Sequence, residues 1–171
     1  MLGMLFMTFN NYFKVFTTQE KEILSSDLGF EVLPHNEEGK RLVNDLTIFY
    51  LPHCSHQLVN NLLFANWSPE RLNNCVIISN SFVNIRETIP PRVLSASLAF
   101  ISKAPEVCEE FEVVNSFQYS DIFNDTSIHI FPLRKLRSVP KNYWSDVESP
   151  VYTDLEFLPL SDNCEENKQH N

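Results

Sequence analysis

Residues 46–56 of the chain read Leu46-Thr47-Ile48-Phe49-Tyr50-Leu51-Pro52-His53-Cys54-Ser55-His56, a nearly continuous apolar run followed by a polar turn. A short apolar run of this kind is typical of a strand that is buried within a parallel sheet. Residues 57–67 then place apolar side chains at helical spacing, and Ser55 is a suitable N-cap for that helix. The stretch therefore predicts a strand, a polar turn and a helix in succession.

A second apolar run, Cys75-Val76-Ile77-Ile78, predicts another buried strand and completes a strand, helix, strand crossover. Pro69 indicates a short second helix between the two strands, because proline is tolerated at the first helical position. Further along, residues 93–101 predict a helix, and residues 111–114 and 128–131 have the composition of strands. Together these elements predict an α/β domain with a mostly parallel sheet and flanking helices.

The sequence Thr17-Thr18-Gln19-Glu20 has the spacing of a capping box, in which the first hydroxyl and the last carboxylate each satisfy a backbone N–H group. A helix is expected from there to about Asp27, with Gly29 in the left-handed conformation that ends many helices. Residues 30–33 then predict a short strand.

A chain of 171 residues with 43% apolar side chains can bury one sizeable core, so we expect one domain. Its net charge of −9 argues against binding to nucleic acid, because neutralising a phosphate backbone requires clustered Lys and Arg. The four cysteines, at positions 54, 75, 108 and 164, form no CxxC pair. We therefore expect neither a zinc ribbon nor a disulfide framework, and a reducing compartment inside the cell.

The first 14 residues are largely apolar, but they have neither the basic region of a signal peptide nor the length of a membrane anchor. No later run approaches the ~20 apolar residues that a membrane-spanning helix requires. The expected organisation is a divergent segment over residues 1–14, an α/β domain over residues 15–160, and a disordered acidic tail over residues 161–171.

Polar side chains follow both predicted central strands at the point where each strand ends. His53, Cys54 and His56 come after the first strand, and Asn80 and Ser81 come after the second. The carboxyl ends of adjacent parallel strands meet at one edge of a sheet, where α/β proteins commonly bind ligands. The sequence therefore predicts a ligand pocket formed by these side chains.

Four interpretations of the His-Cys-His turn stay open at this level, and none assigns a catalytic or metal-binding residue. Cys54 and His56 could be two ligands of a metal ion that takes its others from elsewhere, or a nucleophile and base whose thiol pKa is lowered by the helix N-terminus. Haem is a third option, since both residue types ligate iron. In the fourth, Pro52, His53 and Ser55 only shape the turn and cap the helix.

Three asparagines, Asn60, Asn61 and Asn66, fall within the predicted helix, although Asn is intrinsically unfavourable there. Their amides either recognise a ligand or partner, or form hydrogen bonds to neighbouring loops. The residue pattern leaves both interpretations open.

Several ordered motifs give the chain a resemblance to a known family. Residues 47–54 (TIFYLPHC), 60–68 (NNLLFANWS), 77–82 (IISNSF) and 118–132 (QYSDIFNDTSIHIFP) are similar, in sequence and in order, to motifs of the sensitivity-to-red-light-reduced (SRR-like) family. The resemblance extends over roughly residues 15–137.

The resemblance implies a Rossmann-like α/β fold and a regulatory role, with no settled catalytic activity. Family members are associated with circadian-clock input, with red-light signalling in plants, and with regulation of haem biosynthesis in animals and fungi. We accordingly expect an intracellular regulator that acts through protein partners in the cytoplasm, with a nuclear location left open. The alternative is a ligand-binding protein or enzyme that uses the pocket around the Pro-His-Cys turn. The family motif also makes His129 and Asp125 candidates for further metal ligands.

The chain departs from the family pattern at its start. Family members usually carry a strand, a Gly-containing loop, a helix and an Asp-Pro pair before the segment that matches Val15-Phe16-Thr17, whereas Phe13-Lys14 stands here. The three glycines, Gly3, Gly29 and Gly39, form no phosphate-binding loop. We expect a shortened form that lacks the first strand and helix of the family fold.

Overall fold

A computed structural model describes residues 3–6, 17–114, 116, 118–119, 123–145 and 148–152 of the chain, with the backbone alone for residues 3–6. The predicted acidic tail over residues 161–171 lies outside the described residues. The strands of the described part are β1 (Gly3–Phe6), β2 (Thr47–Leu51), β3 (Cys75–Asn80), β4 (Glu109–Glu112) and β5 (Thr126–Ile130). The helices are α1 (Thr18–Glu22), which continues as a π-helical turn (Ile23–Asp27), α2 (His56–Ala65), α3 (Pro69–Leu72), α4 (Phe82–Thr88), α5 (Pro91–Ser97), α6 (Ala99–Val107), α7 (Leu133–Leu136) and a 3₁₀ turn (Lys141–Trp144).

The strands form one mixed sheet in the order β1-β2-β3-β5-β4. Among β2 to β5, one pair is parallel (β2 with β3) and two are antiparallel (β3 with β5, and β5 with β4); β1 adds a second parallel pair beside β2. β5 is thus the one reversed strand of the described sheet, inserted between β3 and β4. The α/β class with flanking helices is confirmed, but the prediction of mostly parallel pairing is wrong. This mixed sheet does not confirm the Rossmann-like topology that the resemblance implied.

The reversal of β5 follows from the way the chain returns from β4. Parallel neighbours need a long crossover connection, whereas a chain that turns back directly gives antiparallel neighbours. After β4 the Val113 N–H donates to the Thr126 carbonyl at 2.9 Å, so the chain returns alongside β4 itself. A sequence pattern shows that both segments are strands but does not show which strand each one pairs with.

The central unit β2-α2-α3-β3 forms as predicted, because local capping signals define each helix. The Ser55 hydroxyl accepts from the Leu58 N–H at 3.4 Å and begins α2. The Ser68 hydroxyl does the same for α3. The capping box before α1 is also confirmed, with the Thr17 N–H donating to the Glu20 carboxylate at 2.7 Å.

Several local predictions fail where tertiary contacts override the sequence pattern. The predicted strand over residues 30–33 is not formed, and residues 3–6, not predicted as a strand, form β1 at the edge of the sheet. The helix α4 was not predicted; the Ser81 hydroxyl caps it by accepting from the Asn84 N–H at 3.0 Å. The helix expected over residues 93–101 is divided into α5 and α6.

The division between α5 and α6 is held by a side chain from another helix. Asn60, which is fully buried on α2, donates to the Ser97 carbonyl at 3.3 Å. Its side-chain oxygen accepts from the N–H groups of Phe100 and Ile101, at 3.0 and 3.2 Å. One amide therefore satisfies backbone groups at the end of α5 and at the start of α6.

Side chains from the sheet and from α2, α4 and α6 form one hydrophobic core. On β3 the burial alternates, with Cys75, Ile77 and Ser79 buried and the intervening side chains half-buried. The largest fully buried side chains are Phe49, Phe82, Leu51, Leu62, Leu63, Leu72, Ile77, Leu98, Ile101 and Leu136. No helix among the described residues is long and apolar enough to cross a membrane.

We predict that Gly39→Ala destabilises the protein far more than Gly29→Ala. Both glycines have a positive φ, +79° and +69°, which costs an alanine about 1 kcal/mol at either position. At Gly39 the added Cβ would also lie 2.6 Å from the Leu58 carbonyl oxygen of α2, whereas nothing lies within 4 Å at Gly29. We expect losses of about 3 and about 1 kcal/mol in the free energy of unfolding, measured with urea. Equal losses would show that the 36–40 turn does not pack on α2 as described.

Candidate functional site

The predicted meeting of the two strand ends is confirmed by the sheet register. Leu51 lies opposite Ser79, so the His-Cys-His turn after β2 and residues Asn80 and Ser81 after β3 share one edge of the sheet. Asp125, which precedes the reversed strand β5, lies at the same edge because Asn80 is paired with Thr126. The sequence pattern named the first two groups and did not place Asp125 with them.

Asp125 is the centre of a polar cluster at this edge. Its two carboxylate oxygens accept hydrogen bonds from the side-chain amides of Asn80 and Asn84, at 3.1 and 2.8 Å. Its carbonyl oxygen accepts from the Ser81 N–H at 3.1 Å. These bonds hold Asp125 in a left-handed conformation, with φ 56°. The cluster ties the start of α4 to the start of β5.

His56 belongs electrostatically to the same cluster. Burial lowers the pKa of its imidazole, and the Asp125 carboxylate only partly opposes that shift. The ring is therefore neutral at physiological pH. Asp125 therefore acts on His56 electrostatically and accepts a hydrogen bond from Asn80, which are two of the predicted site residues.

The structure places Cys54 in a setting unsuited to nucleophilic chemistry. Burial raises the pKa of its thiol to about 11, so the thiolate is scarce at neutral pH. The predicted lowering by the helix N-terminus is therefore wrong, because desolvation outweighs it. His53 is exposed and has a left-handed backbone, with φ 53°, in the turn that follows β2.

No group of three or more His, Cys, Asp and Glu side chains in the described ranges is arranged to hold a metal ion. The haem interpretation of the turn stays a prediction. Neither of the two surface grooves described below is lined by residues of this turn.

Asn60 and Asn61 of α2, and Asn66 at its C-cap, form hydrogen bonds that hold the fold together. Asn66 accepts from the Val43 N–H and donates to the carbonyls of Arg41 and Leu62, all within 2.9 Å. Asn61 donates to the Glu38 carbonyl at 2.8 Å. Hydrogen bonding to neighbouring segments is thus confirmed for these buried amides.

The hydroxyl of Tyr152 forms hydrogen bonds with the side chains of Asn60 and Asn61 on α2. Its hydroxyl accepts from the Asn60 amide at 3.1 Å and lies 2.8 Å from the Asn61 side-chain oxygen. The Tyr152 hydroxyl also lies within hydrogen-bond distance, 3.2 Å, of the Gln57 carbonyl oxygen. Together these contacts hold residues 148–152 against α2.

A second polar group, which the sequence reading did not identify as a site, lies on the other side of Ser81. His129 is fully buried on β5, where its Nδ1 faces the Ile77 carbonyl at 3.1 Å and its ring stacks on Phe82 with centroids 3.6 Å apart. Its Nε2 lies 3.4 Å from a carboxylate oxygen of Glu110. A carbonyl oxygen only accepts, so Nδ1 carries a proton and Nε2 is the atom that faces the carboxylate.

Glu110 is held as a carboxylate by its neighbours. Burial by itself raises the pKa of this side chain, but interactions with His129, the Ser81 hydroxyl and the Val83 N–H outweigh burial and lower the pKa to about 2. The family motif makes His129 a candidate metal ligand, and the predicted strand over residues 111–114 does not include Glu110. Glu110 and His129 lie side by side because they are paired across β4 and β5. No local feature of the sequence predicts that pairing.

Two surface grooves lie near these groups. A groove of about 470 Å³ runs beside Glu110. Its walls are Val83, Pro105, Cys108, Glu109, Glu110, Phe111, Arg134 and Lys135. A second groove, of about 610 Å³, is lined by residues of α5 and α6, by Ser145 and by residues 148–151. Both differ from the pocket predicted around the Pro-His-Cys turn.

The fold and this polar edge define a mixed α/β domain, and comparison with known proteins identifies its family. The family model described as "SRR1 domain" matches residues 15–130. The chain therefore belongs to the SRR1-domain family, as its motifs predicted.

Three curated relatives support the assignment. The chain is 43% identical over 96 residues to the SRR1-like protein of Mus musculus, 34% identical over 122 residues to the SRR1-like protein of Drosophila melanogaster, and 36% identical over 120 residues to Protein SENSITIVITY TO RED LIGHT REDUCED 1 of Arabidopsis thaliana. The matches cover 56%, 71% and 68% of this chain but only 38%, 42% and 43% of the relatives. The chain thus spans about two fifths of their length. No solved structure matches it.

We predict that Cys54 reacts slowly with iodoacetamide in the folded protein. A thiol pKa of about 11, against an ordinary value of 9.0, leaves roughly 100-fold less thiolate at pH 8. Mass spectrometry of the Cys54 peptide over time measures the rate, and the same chain in 8 M urea is the matched control. A rate in the folded protein equal to or above that in urea would contradict the described burial.

We predict that Glu110→Gln removes an acid-sensitive part of the stability. The folded pKa of about 2 lies below the ordinary 4.5, so the Glu110 carboxylate stabilises the fold above pH 4.5 and loses this effect as the pH falls toward 2. Urea unfolding at pH 6 should show a loss of about 1 kcal/mol in the variant, since solvent screens this half-buried carboxylate, and the loss should shrink toward zero at low pH. Glu112→Gln, an exposed position on the same strand, is the control and should change stability by less than about 0.5 kcal/mol. A loss that stays constant with pH would contradict the role of charge.

Proposed function

We propose that this chain is an intracellular regulatory protein that acts by binding protein partners, and that it contributes to control of haem biosynthesis and of circadian-clock gene expression. The observation that carries the proposal is the match to the SRR1 domain over residues 15–130. The plant relative, named for sensitivity to red light, supports a signalling role for this type of domain. A cytoplasmic location, with the nucleus left open, is part of the proposal, as is a Rossmann-like ancestry for the sheet.

The chemistry of the predicted pocket supports binding rather than catalysis. The Cys54 thiol is protonated and the α2 amides are engaged in the fold, so the turn offers no activated nucleophile. The His56 imidazole and the Asp125 carboxylate form a polar cluster, which is the feature that favours the alternative of a small-ligand site. The experiment below separates the two.

The test is complementation in mouse cells that lack their own SRR1-like protein. We expect the intact chain to restore the transcript levels of haem-synthesis enzymes and the period of a clock-gene reporter. His56→Ala and Cys54→Ala, checked for the wild-type melting temperature, should restore both equally well, because regulation through partners does not use the turn. A folded, expressed wild-type chain that restores neither readout would overturn the proposed function. Failure confined to the two turn variants would instead establish the ligand-site alternative.

A further inference from the structure

The strand β4 lies at the end of the sheet and pairs with β5 alone among the described strands. The register places Phe111 opposite Ile128, and the Val113 N–H donates to the Thr126 carbonyl. Antiparallel ladders alternate between residues whose main-chain groups point at the partner strand and residues whose groups point away. Since Val113 and Phe111 point toward β5, the main-chain N–H and C=O groups of Glu110 and Glu112 point outward from the sheet.

From Glu110 to Val113 the side chains along this edge alternate between acidic and apolar. Phe111 and Val113 lie on one face of the strand together with Glu109, whose carboxylate is paired with Arg134, and Glu110 and Glu112 lie on the other face. Phe111 is 52% exposed, so about half of its side chain is available to a partner. Glu112 is exposed and makes no hydrogen bond or ion pair with another described residue.

The groove of about 470 Å³ lies beside the first part of β4. Glu109, Glu110 and Phe111 of the strand line it, together with Val83 at the start of α4. Its two basic side chains are already engaged, Arg134 with the Glu109 carboxylate and Lys135 with the Cys108 carbonyl at 2.6 Å. Glu112 is left as the uncompensated charge at the edge.

We propose that the outer edge of β4 is a strand-addition site for a partner protein, and that the partner supplies an extended segment in which apolar and basic residues alternate. The segment forms main-chain hydrogen bonds with Glu110 and Glu112. Its apolar side chains lie against Phe111 and Val113, and its basic side chains face the acidic side. This inference rests on the proposed function, because it names the surface through which a partner binds.

Charge decides between this occupant and a second copy of the chain. Two β4 edges brought together would place Glu110 and Glu112 of one copy beside those of the other, and directly opposed like charges destabilise strand pairing. A basic and apolar segment removes that repulsion and covers Phe111. The acidic edge therefore disfavours pairing with a second copy of β4 and favours a partner strand that carries basic and apolar side chains.

The test uses a fluorescein-labelled peptide of alternating valine and lysine, capped at both ends, with binding to the intact chain followed by fluorescence anisotropy. We expect saturable binding at a one-to-one ratio. The matched probe carries N-methyl groups on alternate residues on the side that would face β4, which removes the strand hydrogen bonds and keeps the charge. We expect it to bind at least tenfold more weakly. Equal binding of the two peptides would reduce the interaction to charge alone and overturn strand addition.

Variants of the protein locate the site. Glu112→Gln should weaken binding of the valine-lysine peptide about threefold, and Glu112→Lys about tenfold. Glu70→Lys makes the same change in net charge at an exposed position on α3 and should weaken binding less than about twofold. Circular dichroism verifies that each variant is folded. Equal effects of Glu112→Lys and Glu70→Lys would place the peptide elsewhere and reject β4.

Complementation separates this inference from the proposed function. If Glu112→Lys loses regulation in the mouse-cell assay while Glu70→Lys retains it, both stand together. If the intact chain and Glu112→Lys restore regulation equally, the proposed function stands and the β4 site is rejected. Self-association of Glu112→Gln without peptide binding would likewise reject the partner strand and show that the acidic edge only prevents aggregation.

Discussion

The antiparallel pairing of β5 with β3 is the contact on which the polar architecture of this domain depends. It places Thr126 beside Asn80 and His129 beside Ile77. Asp125, just before β5, and His129, near the end of β5, therefore both lie in the region of Ser81. Asp125 then meets two asparagines, and His129 meets the carboxylate on β4. Because β5 is also the strand that bears β4, its pairing creates the outer edge of the sheet as well.

Buried asparagine amides hold the helices and loops together through hydrogen bonds to their backbone groups. The family-like motif over residues 60–68 contains asparagines at positions where leucine or alanine would be better helix formers. Each amide instead satisfies backbone groups that a helix end or a loop would otherwise leave unpaired, which costs more than the lost helix propensity. Asn60 is the clearest case, since it serves α5 and α6 from a third helix. The motif is therefore explained by structure and needs no ligand.

The protonation states at the two polar groups are consistent with recognition. Burial keeps the Cys54 thiol and the His56 imidazole uncharged, whereas the carboxylate of Glu110 stays ionised because hydrogen-bond donors surround it. Fixed charges of this kind orient neighbouring elements and partners, and they do not supply a reactive group. The chain spans about two fifths of its curated relatives, and the outer edge of β4 is the surface of the described fold on which our inference about a partner rests.

The sequence by itself determined the local elements, because their causes lie within a few residues. The capping serines Ser55 and Ser68 begin α2 and α3, the apolar runs give β2 and β3, and the ordered motifs identify the family. It also predicted that His53, Cys54, His56, Asn80 and Ser81 lie at one edge of the sheet, as the register of β2 and β3 shows.

Four features follow from tertiary contacts and not from local sequence. They are the direction of β5, the break between α5 and α6, the burial that raises the pKa of Cys54, and the pairing of Glu110 with His129. Each of these depends on groups far apart in the chain. Strand pairing, desolvation and buried hydrogen bonds depend on which segments pack together. A local pattern of side chains does not predict that packing.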